Sequence, residues 1–186
     1  MPLFTPDFPN VDANIPVYDK GRYQLKITKR KPFARETRPD AQGNTHISAG
    51  VQYNLEMVGM YDREGNLQTD GLAGKTVSPF RGYLHTDKAW GMFKQMLLAG
   101  AGYQASEEPK ANEEFFSKHD WTFDGEPGMA EENFTVGEGF DQILDRLVDV
   151  SLDKDVQKDE ETGKIRENQE FSSWTPPTVG KKKAKK

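Results

Sequence analysis

The chain has 186 residues and a formal net charge of −5, and this length favours one domain with room for insertions. It contains no cysteine, which excludes disulfides, thiolate nucleophiles and Cys-ligated zinc. No apolar run approaches the roughly 20 residues of a membrane-spanning helix, and the first residues lack the charged and apolar regions of a signal peptide. We therefore expect a cytosolic protein without a membrane partner.

The first predicted elements are an extended arm and two strands. Residues 1–16 are rich in Pro, Asp and Asn and predict the arm, which its phenylalanines would anchor to the body. In Tyr23–Thr28, and again in Ile47–Met57, apolar side chains occupy alternate positions, as in strands with one buried face. The turn-forming residues of Arg38–Asn44 lie between them, so we expect the two strands to pair antiparallel.

A third strand and a helix follow. Gly74–Leu84 has strand character, and Pro79 removes a backbone donor from it, which predicts an edge strand or a bulge. Thr86 can cap the helix that comes next, whose apolar face continues to Leu97. Gly100 and Gly102 lie where this helix would end.

The second half of the chain is predicted to contain an acidic insertion, two strands and a basic tail. Residues 101–139 are acidic and lack periodicity, but they include several aromatic residues, so we interpret them as an insertion that packs through its rings. Residues 140–147 have helical spacing, and Val148–Leu152 alternates as a strand. A last strand is predicted from Lys164 to Trp174, and the lysine-rich residues 178–186 predict a disordered tail.

This order of elements predicts a mainly β protein. Five strands with one helix between strands 3 and 4 are the order of an OB-fold barrel. We therefore expect residues 17–177 to form a five-stranded OB-fold-like barrel with one helix and a long acidic insertion.

Both ends of this predicted domain carry a family resemblance. Gly21–Ile27, followed by a turn and a long alternating strand, resembles the opening of OB-fold single-stranded-DNA-binding proteins of tailed phages, and Asp159–Gly163 with Trp174–Pro177 resembles their ending. The resemblance implies a non-enzymatic protein of phage replication or recombination, without a cofactor, in the host cytoplasm. Its partners would be single-stranded DNA and proteins of those processes. The basic tail departs from the acidic tail of many such proteins, so recruitment through the tail is not carried over.

The candidate binding site is the basic stretch Lys20–Arg38, which carries eight cations in an acidic protein. A protein that holds single strands without reading their sequence needs cations for the phosphates and aromatic faces for the bases. The candidate nucleic-acid-binding residues are Arg22, Lys26, Lys29, Arg30, Lys31, Phe33, Arg35, Lys75, Phe80, Arg81 and Trp174. Alternatively, Lys29–Lys31 is only a solvated loop flank, and the lysine tail only solubilises the chain.

Other functions compete with DNA binding. The acidic insertion is either a solvated flap, a cover for the basic stretch when DNA is absent, or the protein interface of a phage structural or host-interaction protein. A metal-dependent nuclease would need carboxylates such as Asp141, Asp145 and Asp149 to bind Mg²⁺. Gly71–Thr76 ends in Gly-Lys-Thr but lacks the first glycine of a phosphate-binding loop. We expect neither catalytic residues nor a metal.

Overall fold

The computed structural model describes residues 16–104, 109–158, 160, 163 and 165–178. The predicted arm and basic tail lie almost wholly outside these residues. The strands are β1 (Gly21–Glu36), β2 (Ile47–Tyr61), β3 (Leu67–Gln68), β4 (Thr76–Tyr83), β5 (Phe123–Asp124), β6 (Thr135–Val136), β7 (Leu147–Lys158) and β8 (Ile165–Thr175), and the helices are α1 (Asp87–Ala101) and α2 (Pro109–Lys118).

The main sheet is antiparallel and is built around β1. Five of its six strands follow the order β3-β2-β1-β7-β8, and the sixth, β4, pairs with β2. The first part of β1, Gly21–Lys26, pairs with β7, whereas β2 follows β1 from Tyr23 to Glu36. A bulge between Ile27 and Lys29 changes the phase of β1 along this ladder. The prediction of a mainly β protein with antiparallel strands is confirmed.

The sheet is not closed into a barrel by hydrogen bonds. Within the described part of the chain, β4 and β8 are edge strands with no ladder between them. Ring contacts bridge this seam instead, because Phe80 of β4 lies 5.0 Å from Trp174 and 5.7 Å from Phe171, both of β8, between ring centroids. At the Thr76 end of the seam, the Tyr18 hydroxyl donates to the Thr76 carbonyl (3.2 Å) and the Tyr18 amide donates to Gln169 Oε1 (2.6 Å).

The predicted barrel with a single helix therefore needs two corrections. The seam between β4 and β8 is spanned by ring contacts and not by a ladder in the described residues. A second helix, α2, lies inside the insertion, where Pro109 occupies its first position. Residues 140–147, which have helical spacing in the sequence, do not form an α-helix. The structure has a 3₁₀ turn over Glu138–Asp141, followed by turns.

Helix α1 has the predicted boundaries. The Thr86 hydroxyl accepts a hydrogen bond from the Ala89 amide (3.2 Å), and Gly102, with a φ of 92°, ends the helix in the left-handed conformation. Phe93 is fully buried on the inner face of α1. Its ring lies 5.8 Å from that of Tyr53 and is stacked 5.9 Å from that of Phe140. Neither α1 nor α2, the helices of the described residues, is long and apolar enough to cross a membrane.

Gly82 allows α1 to approach β4 closely. A Cβ atom at this position would lie 2.5 Å from the ring of Phe93, a distance that forces the ring or the strand to move. We expect Gly82→Ala to lower the free energy of unfolding by about 1–3 kcal/mol, because the core would be overpacked. Urea denaturation followed by far-ultraviolet circular dichroism measures this change.

Gly91 provides the matched control for this substitution. It lies on α1, and a Cβ atom added there would have no neighbouring side chain or other element within 4 Å, so the same methyl group meets open space. Gly91→Ala should raise the free energy of unfolding by about 0.5–1 kcal/mol through helix propensity. Equal effects of the two substitutions would contradict the close approach at Gly82.

Candidate nucleic-acid interface

Most cations of the basic stretch face carboxylates from the second half of the chain. The pairs are Lys20–Asp153 (3.6 Å), Arg22–Asp149 (2.9 Å), Lys26–Asp145 (3.1 Å), Arg30–Asp141 and Lys31–Glu131 (3.7 Å). The hydrogen bond to Asp141 raises the pKa of the Arg30 guanidinium above its ordinary value. The basic stretch is therefore not an unopposed patch of positive charge, because five of its eight cations are paired within the fold.

The Arg22 side chain is 47% exposed, but its guanidinium is tied to a buried polar network. Its guanidinium donates to Asp149, whose side chain is fully buried. The same carboxylate accepts hydrogen bonds from Gln24 Nε2 (3.2 Å), from the Tyr61 hydroxyl (3.0 Å), and from the amide and hydroxyl of Thr178 (2.8 and 2.9 Å). We infer that Arg22 serves the fold, joining β1, β2, β7 and the segment after β8.

The bulge in β1 turns a second set of side chains outward. Beyond Ile27, Pro32 is buried while Lys29, Lys31 and Arg35 are exposed. The ladder places Lys31 opposite Gln52 and Gln52 opposite Arg81. Phe33 is likewise opposite Gly50, and Gly50 opposite Tyr83. We call this surface the cationic–aromatic face; its residues are Lys29, Lys31, Phe33, Arg35, Arg81 and Tyr83.

Three cations of this face have no carboxylate partner among the described residues, namely Lys29, Arg35 and Arg81. Arg81 Nε donates to Gln52 Oε1 (3.1 Å), and Arg35 donates to the Tyr83 hydroxyl (3.4 Å). Both partners are neutral, so the charges of the two arginines remain uncompensated. These cations are available to phosphate oxygens.

The rings of the face are half-buried and close together. Phe33 and Tyr83 are perpendicular with centroids 5.5 Å apart, and His85 lies 5.4 Å beyond Tyr83. Gly50 lies between Phe33 and Tyr83 in the ladder, where a Cβ atom would come 2.0 Å from the Gly82 carbonyl oxygen. No side chain of β2 therefore separates the two rings, whose exposed parts can stack on bases.

Tyr83 and His85 are absent from the sequence-predicted site. Tyr83 can be assigned to the site from the alternation of buried and exposed residues along β4, in which Phe80 and Gly82 are buried and Arg81 is exposed. Because side chains alternate along a strand, Tyr83 shares the outer face with Arg81. Nothing in the sequence alone fixes this phase, since Pro79 interrupts the alternation at the bulge between β2 and β4.

Besides Arg22, Lys26 and Arg30, which pair with carboxylates, three predicted site residues lie away from the face. Phe80 and Trp174 are only 8% and 7% exposed and belong to the core, so they offer a base little ring surface and we remove them from the candidate site. Lys75 precedes β4 and lies about 20 Å along the strand from Arg81. These positions separate all three from the paired rings of Phe33 and Tyr83.

The acidic insertion contacts β1 next to the face. Glu131, in a 3₁₀ turn over Glu131–Asn133, pairs with Lys31, and a cleft of about 390 Å³ separates this turn from Arg30 and Pro32. The rings of the insertion point elsewhere. Those of Phe115, Phe116 and Trp121 lie 5.1–5.5 Å from one another, and Trp121 contacts Phe140 of the core at 5.2 Å.

A metal site is not formed in the described part of the chain, where no three His, Asp or Glu side chains are grouped to hold an ion. The carboxylates considered for Mg²⁺, at positions 141, 145 and 149, are instead paired singly with Arg30, Lys26 and Arg22. The nuclease hypothesis gains no support from these residues.

No protein-family model matches the sequence, and no curated protein matches it. The chemistry of the cationic–aromatic face is therefore the basis on which a function can be inferred. That face combines unpaired cations with closely spaced rings.

Proposed function

We propose that the protein binds single-stranded DNA through the cationic–aromatic face, without catalysing a reaction on it, in phage replication or recombination. The observation that carries this proposal is the pair of rings, Phe33 and Tyr83, beside the uncompensated charges of Arg35 and Arg81. Rings stack on bases and cations neutralise phosphates, which is the combination that sequence-tolerant binding of single strands requires.

The strand connectivity supports an OB-fold-like architecture as part of the proposal. β1 pairs with both β2 and β7, β4 pairs with β2, β8 pairs with β7, and α1 lies between β4 and β7 along the chain. These pairings resemble the connectivity of an OB-fold, with the seam between β4 and β8 bridged by rings and not by a ladder. OB-folds bind oligonucleotides on the face of their second and third strands. Those strands correspond to β2 and β4; Arg81 and Tyr83 of the face lie on β4, and its other four residues lie on the neighbouring β1.

The alternative, a phage structural or host-interaction protein with the insertion as its interface, receives less support. That function would use Phe115, Phe116 and Trp121 as exposed anchors. These rings contact one another and the core ring of Phe140 instead. The surface that the insertion presents is thus mainly acidic.

We expect the protein to bind single-stranded DNA in preference to duplex of the same sequence, because bases paired in a duplex cannot stack on Phe33 or Tyr83. Fluorescence anisotropy with a labelled oligonucleotide between about 50 and 200 mM salt measures both affinities. If the three unpaired cations are engaged, the logarithm of the binding constant should fall with the logarithm of salt concentration with a slope of about −2. Equal affinity for duplex, or no binding at the lowest salt concentration, would refute the proposal.

The salt dependence should depend on the unpaired cations of the face. Replacing Lys29, Arg35 and Arg81 together with alanine is expected to make the slope shallower by about 2, because each phosphate contact on a single strand contributes about 0.7. The same anisotropy titrations measure the slope. The folded state should persist, because all three side chains are exposed.

The matched control removes the same charge elsewhere. Lys20, Lys110 and Lys118 are exposed and lie outside the face, and two of them already pair with carboxylates. Their combined replacement by alanine should leave the slope within about 0.5 of the original value. Equal changes in both variants would mean that net charge, rather than the face, attracts the DNA.

A further inference from the structure

A groove of about 470 Å³, which we call the β4–β8 groove, lies along the seam between β4 and β8, where the bridging rings of Phe80 and Phe171 form part of its lining. Its apolar walls come from Pro79, Phe171 and Met92, and the Met92 side chain on α1 is 49% exposed. Phe171 stacks on Trp174 with the ring planes 9° apart, so its orientation is fixed from below. The groove therefore combines apolar surface from these residues with the polar side chains of Arg81, Gln169 and Glu170, a lining that suits a planar base with polar edges.

The groove is continuous with the cationic–aromatic face. Arg81 and Tyr83 line the groove and also belong to the face. A single strand that stacks on Tyr83 would pass the mouth of the groove, where the uncompensated charge of Arg81 can hold the phosphate of the next nucleotide. The base of that nucleotide would then be next to the groove.

Glu170 places a hydrogen-bond acceptor on the β8 side of the groove. Its exposed carboxylate lines the groove, and no hydrogen bond or ion pair joins it to another side chain of the described residues. An ionised carboxylate can only accept hydrogen bonds. The exocyclic amino group of cytosine donates to such an acceptor, whereas thymine presents a carbonyl oxygen at the equivalent position.

Resting on the proposed function, we infer that the β4–β8 groove holds one unstacked base of the bound strand and that Glu170 selects cytosine over thymine there. The base would lie against Phe171 and Met92, with its amino group donating to Glu170 and its phosphate beside Arg81. The groove would thus add a base preference to the sequence-tolerant binding proposed for the cationic–aromatic face.

The test compares two labelled oligonucleotides of about 15 nucleotides, the upper range of an OB-fold site, at neutral pH and equal salt. One is all thymidine, and the other alternates thymidine with deoxycytidine. The alternating strand should bind about three- to tenfold more tightly, the worth of one hydrogen bond. Glu170→Gln should remove this ratio, because an amide both donates and accepts and so serves either base.

Two further variants separate the possible explanations. Glu167→Gln removes the same charge from the same strand outside the groove, so the cytosine preference should remain. Met92→Trp places a ring in the groove from an exposed helix position, so the preference should vanish while the salt slope is kept.

Failure of the inference and failure of the proposed function give different results. Absence of binding to both oligonucleotides would overturn the proposed function. Binding without a cytosine preference, or a preference that survives in Glu170→Gln, would overturn only the base site. If Met92→Trp binds both oligonucleotides as the original protein does, the groove is not a base site, and an extended protein segment becomes its candidate occupant.

Discussion

Replacing Asp149 with alanine is expected to lower the free energy of unfolding by about 3 kcal/mol. The carboxylate is fully buried and accepts from Arg22, Gln24, Tyr61 and Thr178. Alanine would leave the Tyr61 hydroxyl without its acceptor and would leave the Gln24 amide only its hydrogen bond to the Tyr61 oxygen (3.0 Å), and an unsatisfied buried donor costs about 1–3 kcal/mol. Urea denaturation monitored by circular dichroism gives the change.

Asp153→Asn is the control for this substitution, because Asp153 pairs with Lys20 at the surface, where both side chains are well exposed. An exposed pair contributes about 0–1 kcal/mol, so the loss should be small. A second readout is the pKa of Tyr61, which burial and then the hydrogen bond to Asp149 raise to about 12. It should fall in Asp149→Ala, as measured by ultraviolet absorbance at alkaline pH. Equal destabilisation by both substitutions, or an unchanged Tyr61 pKa, would contradict the network.

The strands can be predicted from the sequence because their alternation is local. The apolar residues of Ile47–Met57 recur with period two, and in the structure this segment forms most of β2, which continues to Tyr61. The second half of β1 is harder to predict, because the bulge after Ile27 shifts the phase of the alternation. Beyond the bulge Pro32 is buried, and Lys31 and Phe33 turn outward. When the apolar positions switch from odd to even numbers within one strand, the alternation is broken, and the sequence then looks like a loop.

The ion pairs of β1 cannot be predicted from local patterns. Arg22 and Asp149 are 127 positions apart, and Arg30 and Asp141 are 111 positions apart. Their contact depends on how β1, β7 and the turns before β7 are arranged, which no local pattern encodes. Composition therefore locates the cations correctly but gives no information on which of them are neutralised.

Helix α2 is absent from the sequence-based prediction because its apolar face is narrow. Phe115 is its one buried aromatic residue, and the neighbouring glutamates obscure a helical period. Pro109 at the first position and Lys118 in the last turn are typical helix-end signals. Together they are the signals that could identify the helix within the acidic insertion.

Replacing Phe33 and Tyr83 together with alanine is expected to weaken single-strand binding by about 2–4 kcal/mol, because each stacked base contributes about 1–3 kcal/mol. The two rings contact each other at 5.5 Å, so the loss should be smaller than the sum of the single substitutions. The salt slope should stay within about 0.5 of the original value, since no cation is removed. Anisotropy titrations of the two single variants and the double variant measure each of these quantities.

Conservative substitutions distinguish stacking from a structural effect. Phe33→Tyr and Tyr83→Phe keep both rings, and Tyr83→Phe loses only the hydroxyl that accepts from Arg35. Both should bind within about threefold of the original protein, because stacking depends on the ring face. Weak binding by these variants would show that the rings matter for shape rather than for stacking. A shallower salt slope in the alanine variants would instead mean that the rings act by positioning Arg35 and Arg81, and the aromatic part of the proposed function would fail.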